Sequence, residues 1–231
     1  MTRTALEICQ DAAVKIGLDA PTLLFGSTDR TAVELRRALI EASDKIVRAH
    51  DWELLKTLET HTGDGTTTEY ALPTDYLRMP KETQIWSTRW EHPLLHISPE
   101  DWLHLEIREY DTIMGSWTLY GGNVVYRPAL ASDENAKWFY VSENCVASTG
   151  GTPKAKFTAD DDTFRLDDRL IELMLLWVWR EQKGLDYSED MATAEVALAR
   201  EIESDKGARL ITQQSRRNVR AKIAYPWKIT P

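Results

Sequence analysis

Ten consecutive positions, 170–179, read Leu170, Ile171, Glu172, Leu173, Met174, Leu175, Leu176, Trp177, Val178 and Trp179, so nine of the ten are apolar. Asp167 or Asp168 can cap a helix before this run and Gly184 can stop it, which predicts a helix over positions 166–183. A helix that is apolar on every side has to be buried on every side. The run is far shorter than the roughly 18 residues needed to cross a bilayer. It therefore reads as a core rod, and the other elements of the 231-residue chain must surround it.

The chain supplies three partners. Leu6, Cys9, Ala13 and Ile16 recur at helical spacing after Thr2 or Thr4 as cap, and Gly17 ends that segment. After a loop marked by Pro21 and Gly26, Ser27, Thr28 and Asp29 offer a cap for a longer helix. Its stripe is Leu35, Leu39, Ala42, Ile46 and Ala49, widened by Val33, Ile40, Val47 and Leu54. Continued to Leu55, it would measure about 38 Å at about 1.5 Å per residue. A fourth helix starts at Ser188, runs through Met191, Ala194, Leu198 and Ile202, and ends near Lys206 and Gly207.

Between the second and third long helices the pattern changes. Positions 57–62, the turn Gly63, Asp64, Gly65, and positions 66–72 predict a threonine-rich hairpin. Short alternating runs follow at 117–120, 124–126 and 137–141, the first two joined by Gly121, Gly122 and Asn123. Ser98 and Pro99 predict one helical segment over 98–107. The fold class expected is α+β: a four-helix bundle-like core from 1–56 and 166–206, an antiparallel β insertion at 57–165, and an extended C-terminal tail at 207–231. Trp52 should pack where bundle meets insertion. Trp86, Trp90, Trp102, Trp117 and Trp138 are many for a small module to hide, so some are candidates for contacts with other subunits.

Catalytic patterns are not found in the sequence. There is no GxSxG elbow, phosphate loop or dinucleotide fingerprint. His92 and His96 are four apart but span Pro93, which breaks a shared helical face. Asp160, Asp161 and Asp162 with Asp167 and Asp168 lack the spacing of a calcium loop and read as a solvated loop plus a helix cap. Carboxylate pairs such as Glu106 and Glu109 occur on nearly any acidic protein. Cys9 and Cys145 fit neither a disulfide framework nor a metal pair and are expected to be small buried residues. No enzyme activity, cofactor or metal is expected. The first residues lack the apolar core of a signal peptide, which predicts a soluble protein made in the cytosol without membrane contact.

Charge is divided unevenly. Residues 1–206 hold 22 basic and 37 acidic side chains, a net of −15, whereas 207–231 hold six basic and no acidic ones. An acidic body opposes general binding to nucleic acid, which depends on cations neutralising phosphates. A nucleic-acid-binding regulator using its basic tail is the alternative reading. The tail has no helical or strand period and carries aromatic anchors, so it is expected to order on a partner.

Several stretches resemble one known family. Phe25, Gly26, Ser27, Thr28, Asp29 and Arg30 open the long helix that closes with His50, Asp51 and Trp52. Tyr70, Ala71, Leu72, Pro73 and Asp75 follow, then Phe157, Thr158, Ala159, Asp160, Asp162, Thr163 and Phe164. The most specific run is Trp177, Val178, Trp179, Arg180, Lys183, Gly184, Leu185, Asp186 and Tyr187 with Glu189 and Asp190. In this order they resemble the head-to-tail adaptor (connector) proteins of tailed phages, most of all those of short-tailed phages. The resemblance implies a structural protein in the virion neck, made in the host cytoplasm. It implies a homo-oligomeric ring, most often of twelve subunits, docked below the portal protein. A tail nozzle or tail-completion protein would sit beneath, and genomic DNA would pass through the channel without specific binding. In that family a C-terminal extension reaches the portal. By position and charge, Arg209, Arg216, Arg217, Arg220, Lys222, Tyr225 and Trp227 are the residues expected to dock there.

Overall fold

The computed structural model describes residues 3–205 apart from 82 and 113. Among these residues there are five α-helices and eleven strands. The helices are α1 (Ala5–Ile16), α2 (Arg30–Ala49), α3 (Pro99–Arg108), α4 (Asp168–Lys183) and α5 (Ser188–Asp205). Each of the first four starts where a side chain satisfies its free N–H groups. Thr4 and Glu7 form a reciprocal capping box on α1, Asp29 caps α2, Ser98 caps α3 with Pro99 in first position, and Asp167 caps α4. Gly17 and Gly184 end α1 and α4 in the left-handed region, at φ 80° and 65°.

α4 is the rod that the apolar run predicts. It packs against α1, α2 and α5, and Leu170, Ile171, Met174, Leu175, Leu176, Val178 and Trp179 are buried on it. The four-helix bundle, however, is not what forms around it. Ala194 is the residue of α5 that is fully buried, because α5 presents mostly short or polar side chains and packs chiefly on α4. The wall that a fourth helix would provide comes instead from Val141, Cys145, Val146, Phe157 and Phe164, which belong to strands and loops and join the same apolar cluster. The fold is α+β throughout, with strands entering the helical core.

Two local expectations also change. α2 stops at Ala49, six residues short of Leu55, and residues 53–55 form a separate 3-10 turn. The stop is made from outside: the Arg78 guanidinium donates to the carbonyls of Val47 (3.1 Å) and His50 (2.6 Å), and the Trp52 indole donates back to Ile46 O (2.9 Å). The threonine-rich hairpin is absent. β1 (Lys56–Thr62) pairs antiparallel with β8 (Asn135–Ser142), while β2 (Glu69–Ala71) pairs with β7 (Asn123–Arg127) in another sheet. Gly63 is small for a different reason than a turn: a Cβ there would overlap Ala131 O and the Leu130 carbonyl carbon.

Three sheets result. β3 (Tyr76–Arg78) and β4 (Trp86–Ser87) flank β8 opposite β1. β5 (Leu95–His96) and β6 (Ser116–Tyr120) extend β7 and β2, with β6 and β7 joined by Gly121 and Gly122, both at positive φ, as a two-residue hairpin needs. β9 (Val146–Ala147) joins β10 (Pro153–Lys154) and β11 (Thr163–Phe164) beside α1. The first two sheets face each other over a second core of Ile85, Trp117, Val124, Tyr126, Ala136, Trp138 and Tyr140. The other side of β6 and β7, with Thr118 and Val125, lies under α3 and its buried Trp102. Of the tryptophans, Trp52, Trp102, Trp117, Trp138 and Trp179 are buried, Trp90 and Trp177 half-buried, and Trp86 exposed.

Candidate partner-binding surfaces

The docking residues expected from the sequence, Arg209, Arg216, Arg217, Arg220, Lys222, Tyr225 and Trp227, lie outside the described residues. What the fold defines is their point of departure. The Asp205 carboxylate accepts from Glu53 N (3.0 Å) and lies 3.3 Å from His50 Nε2. The root of the tail is thereby tied to the turn where α2 hands over to β1, beside the Asp51–Arg78 ion pair at 2.7 Å.

Charged groups elsewhere act as fasteners. The acidic cluster is not the solvated loop expected. Asp160 accepts from Leu24 N (3.0 Å) and Phe25 N (2.7 Å), and Asp162 is fully buried, taking Thr158 N (2.7 Å), Ala159 N (2.9 Å) and Lys154 Nζ (2.7 Å). These oxygens satisfy loop amides that α1 and β11 would otherwise bury unpaired. Asp75 accepts from the hydroxyls of Tyr140 and Ser142 and from the side-chain amide of Asn144. Glu172, the one polar residue of the apolar run, receives Arg3 at 2.6 Å and Lys15. Burial alone would raise its carboxyl, but hydrogen bonds from Lys15 and Arg3 outweigh that and hold it below the ordinary glutamate value. Cys9 and Cys145 are buried free thiols, pushed up by burial to about 12 and about 11, the range of unreactive cysteines. His61, stacked on Tyr70 with ring centroids 4.8 Å apart and sharing a 2.9 Å hydrogen bond with the Tyr126 hydroxyl, is lowered by burial to about 4 and stays neutral.

An open groove of about 660 Å³ runs along α2. Ile40, Val47 and Leu77 line it together with Arg37, Asp44, Arg48, Glu143 and Lys156, a mixture of both signs without a histidine or a reactive thiol. Sequence reading also missed two exposed apolar areas, Leu103 and Ile107 on α3 and Leu58 and Phe139 on the outer side of the β1–β8 sheet. The second was readable in principle. Positions 137–141 are apolar at both alternations, Trp138 inward and Phe139 outward, so one face had to remain uncovered.

Charged side chains thus clasp one element to another, and apolar side chains on α3 and on the β1–β8 sheet are left open to solvent. The chain matches the family model described as SU10 adaptor protein over residues 3–224, and it belongs to that family. Its members are phage head-to-tail adaptors, structural virion components that associate with portal and tail proteins. The resemblance to phage head-to-tail adaptors read from the sequence is thus borne out at the level of the family. The match runs through Arg209, Arg216, Arg217, Arg220 and Lys222 and stops short of Tyr225 and Trp227. No curated protein matches the chain. Among the described residues no helix is long and apolar enough to cross a membrane.

Proposed function

We propose that this adaptor forms a ring docked coaxially below the portal, with residues 207–231 as the strap that binds portal and an acidic body around the channel through which DNA leaves. The observation that carries the reading is a family match that spans both hydrophobic cores and most of a basic tail on a body of net charge −15. In this reading 1–56 and 166–206, with the segment from Val141 to Phe164 that packs into their core, form the ring wall, and the rest of 57–165 projects from it, toward a tail nozzle or tail-completion protein of a short-tailed particle. Many short straps engaging one partner ring give avidity that a single strap lacks. A negative wall repels phosphates, so DNA slides past without sticking.

Replacing Arg209, Arg216, Arg217, Arg220 and Lys222 together by Gln tests the strap. Co-sedimentation with portal rings should be lost, with the far-ultraviolet circular dichroism of the body unchanged. Retained co-sedimentation rules out a cationic strap. Duplex DNA added to the full chain at low salt should stay free, whereas salt-sensitive binding would favour a regulator that contacts phosphates.

A further inference from the structure

We infer that neighbouring copies of this chain meet head-to-tail through the β module, the apolar stripe of α3 on one copy seating on the open outer face of the β1–β8–β4 sheet of the next. The inference rests on the ring proposed above and names the surfaces that build it. The module is a stack of three layers: α3, then the β5–β6–β7–β2 sheet, then the sheet of β1, β8 and β4. Its inner faces are closed by Trp117, Tyr126 and Trp138 on one side and by Thr118, Val125 and Trp102 on the other. Its two outer faces are not closed. On α3, Leu103 and Ile107 stand four residues apart on one side of the helix and are 56 % and 71 % exposed, and Tyr110 follows at 58 %. On the sheet, Leu58 and Phe139 are directly opposed across β1 and β8 and are 51 % and 53 % exposed, with Trp86 beside them opposite Lys137.

Single exposed apolar residues are ordinary. Two groups on opposite outer surfaces of one module, each of large side chains, are not scattered singles. Their polar surroundings also differ in sign. Helical geometry places Glu100 and Glu106 on either side of the Leu103–Ile107 stripe, and Glu109 follows it, while Asp111 is already paired with Arg127. The ladder positions that face outward with Leu58 and Phe139 carry Lys137 and no carboxylate, while Lys56 at the margin is already paired with Glu53. An acid-rimmed apolar ridge and a lysine-bearing apolar sheet are complementary, whereas each repels or fails to match a copy of itself. Opposite faces of one body cannot be satisfied in a two-fold dimer. They join heterologously and repeat, and the repeat closes as a ring when the rotation permits.

Each face offers only a few large apolar side chains, against the roughly 20–30 residues per partner of a stable interface, so the contact is weak between free copies and fills when many copies stand side by side on a partner ring. Full-length single variants Ile107→Cys and Phe139→Cys test this, because Cys9 and Cys145 are buried and leave the new thiols as the accessible ones. Both substitutions fall on exposed side chains and spare the cores. Each variant alone and the two mixed are treated with a short bis-maleimide, free at high concentration and with portal rings present. The mixture should give crossed dimers in about tenfold excess over self-dimers of either variant, and a chain with both cysteines should give a ladder of multimers. Absence of crossed product in both settings, or self-dimers in equal yield, overturns the assignment. Imaging of the same samples separates the two failures: rings on the portal without crossed product leave the ring standing and remove these faces, while no ring removes both.

Discussion

The helical core and the β sandwich exclude water in different ways. Around α4 the buried surface is mostly aliphatic, with Ala5, Ala12, Ala13, Ala38, Ala42 and Ala194 letting helices approach closely, Leu35, Leu39, Ile46 and Leu175 filling between them, and Trp52, Phe157, Phe164 and Trp179 as its aromatic members. Its buried carboxylates, Glu172 and Asp162, are each reached by cations from a partly exposed surface, Arg3 and Lys15 for the one and Lys154 for the other. Between the sheets the interior is aromatic and wired with polar atoms. His61 stacks on Tyr70 and meets Tyr126 and Trp138 edge-on, and Ser87 donates to the buried Glu134. One chain thus carries a core whose buried carboxylates are kept charged by cations and another whose histidine is kept neutral by burial, and the two should fail under different conditions.

Trp138→Ala breaks the comparison hardest. It empties the centre of the sandwich and should cost about 3–5 kcal/mol, against about 2–5 kcal/mol for Leu175→Ala in the helical core, both read by urea titration. β8 serves both cores, Trp138 in one and Val141 in the other, so each variant should shift a single transition in which circular dichroism and tryptophan fluorescence coincide. Separate transitions would make the cores independent units.

Acid sharpens the contrast. The folded-state pKa of His61 is lowered by burial from 6.5 to about 4, so the folded protein binds fewer protons than the unfolded chain between those values. The stability this supplies is complete above about pH 6.5 and is lost as pH falls toward 4, on the order of 3 kcal/mol in all. His61→Gln should flatten the stability profile across that window. The Glu172 carboxyl is likewise depressed, so its share is complete above the ordinary glutamate value of 4.5 and disappears only at lower pH. Glu172→Gln should be the mildest change, about 1–2 kcal/mol at pH 7, because the Lys15 side chain is 54 % exposed and well screened. A larger loss for Glu172→Gln than for the His61 titration would reverse the ranking of the two cores.

The helical elements were legible because their signals are local. Asp29 and Asp167 cap, Gly17 and Gly184 stop, and the apolar spacing between them is repeated often enough to fix each face. The same holds for Ser98 with Pro99 and for Gly121 with Gly122. What escaped was non-local. The partner of β1 is β8, far along the chain, and no turn residue announces it. α2 ends because Arg78, a residue of β3, takes its last carbonyls, although Trp52 and Leu54 prolong the apolar pattern beyond that point. The bundle expectation failed for a related reason: the apolar run on α4 demands a wall but does not say that Phe157 and Phe164, rather than a fourth helix, provide it. Of the proposed docking site, composition showed the charge and the aromatic anchors, and the fold adds that Asp205 holds its root against His50 and Glu53.

The most direct test of the adaptor reading is negative-stain imaging of portal rings mixed with the full chain or with a chain ending at residue 206. A second coaxial ring below the portal is expected with the full chain and should be absent with the shortened one. Portal rings that remain bare with the full chain, or that carry the second ring equally well without residues 207–231, would contradict the account.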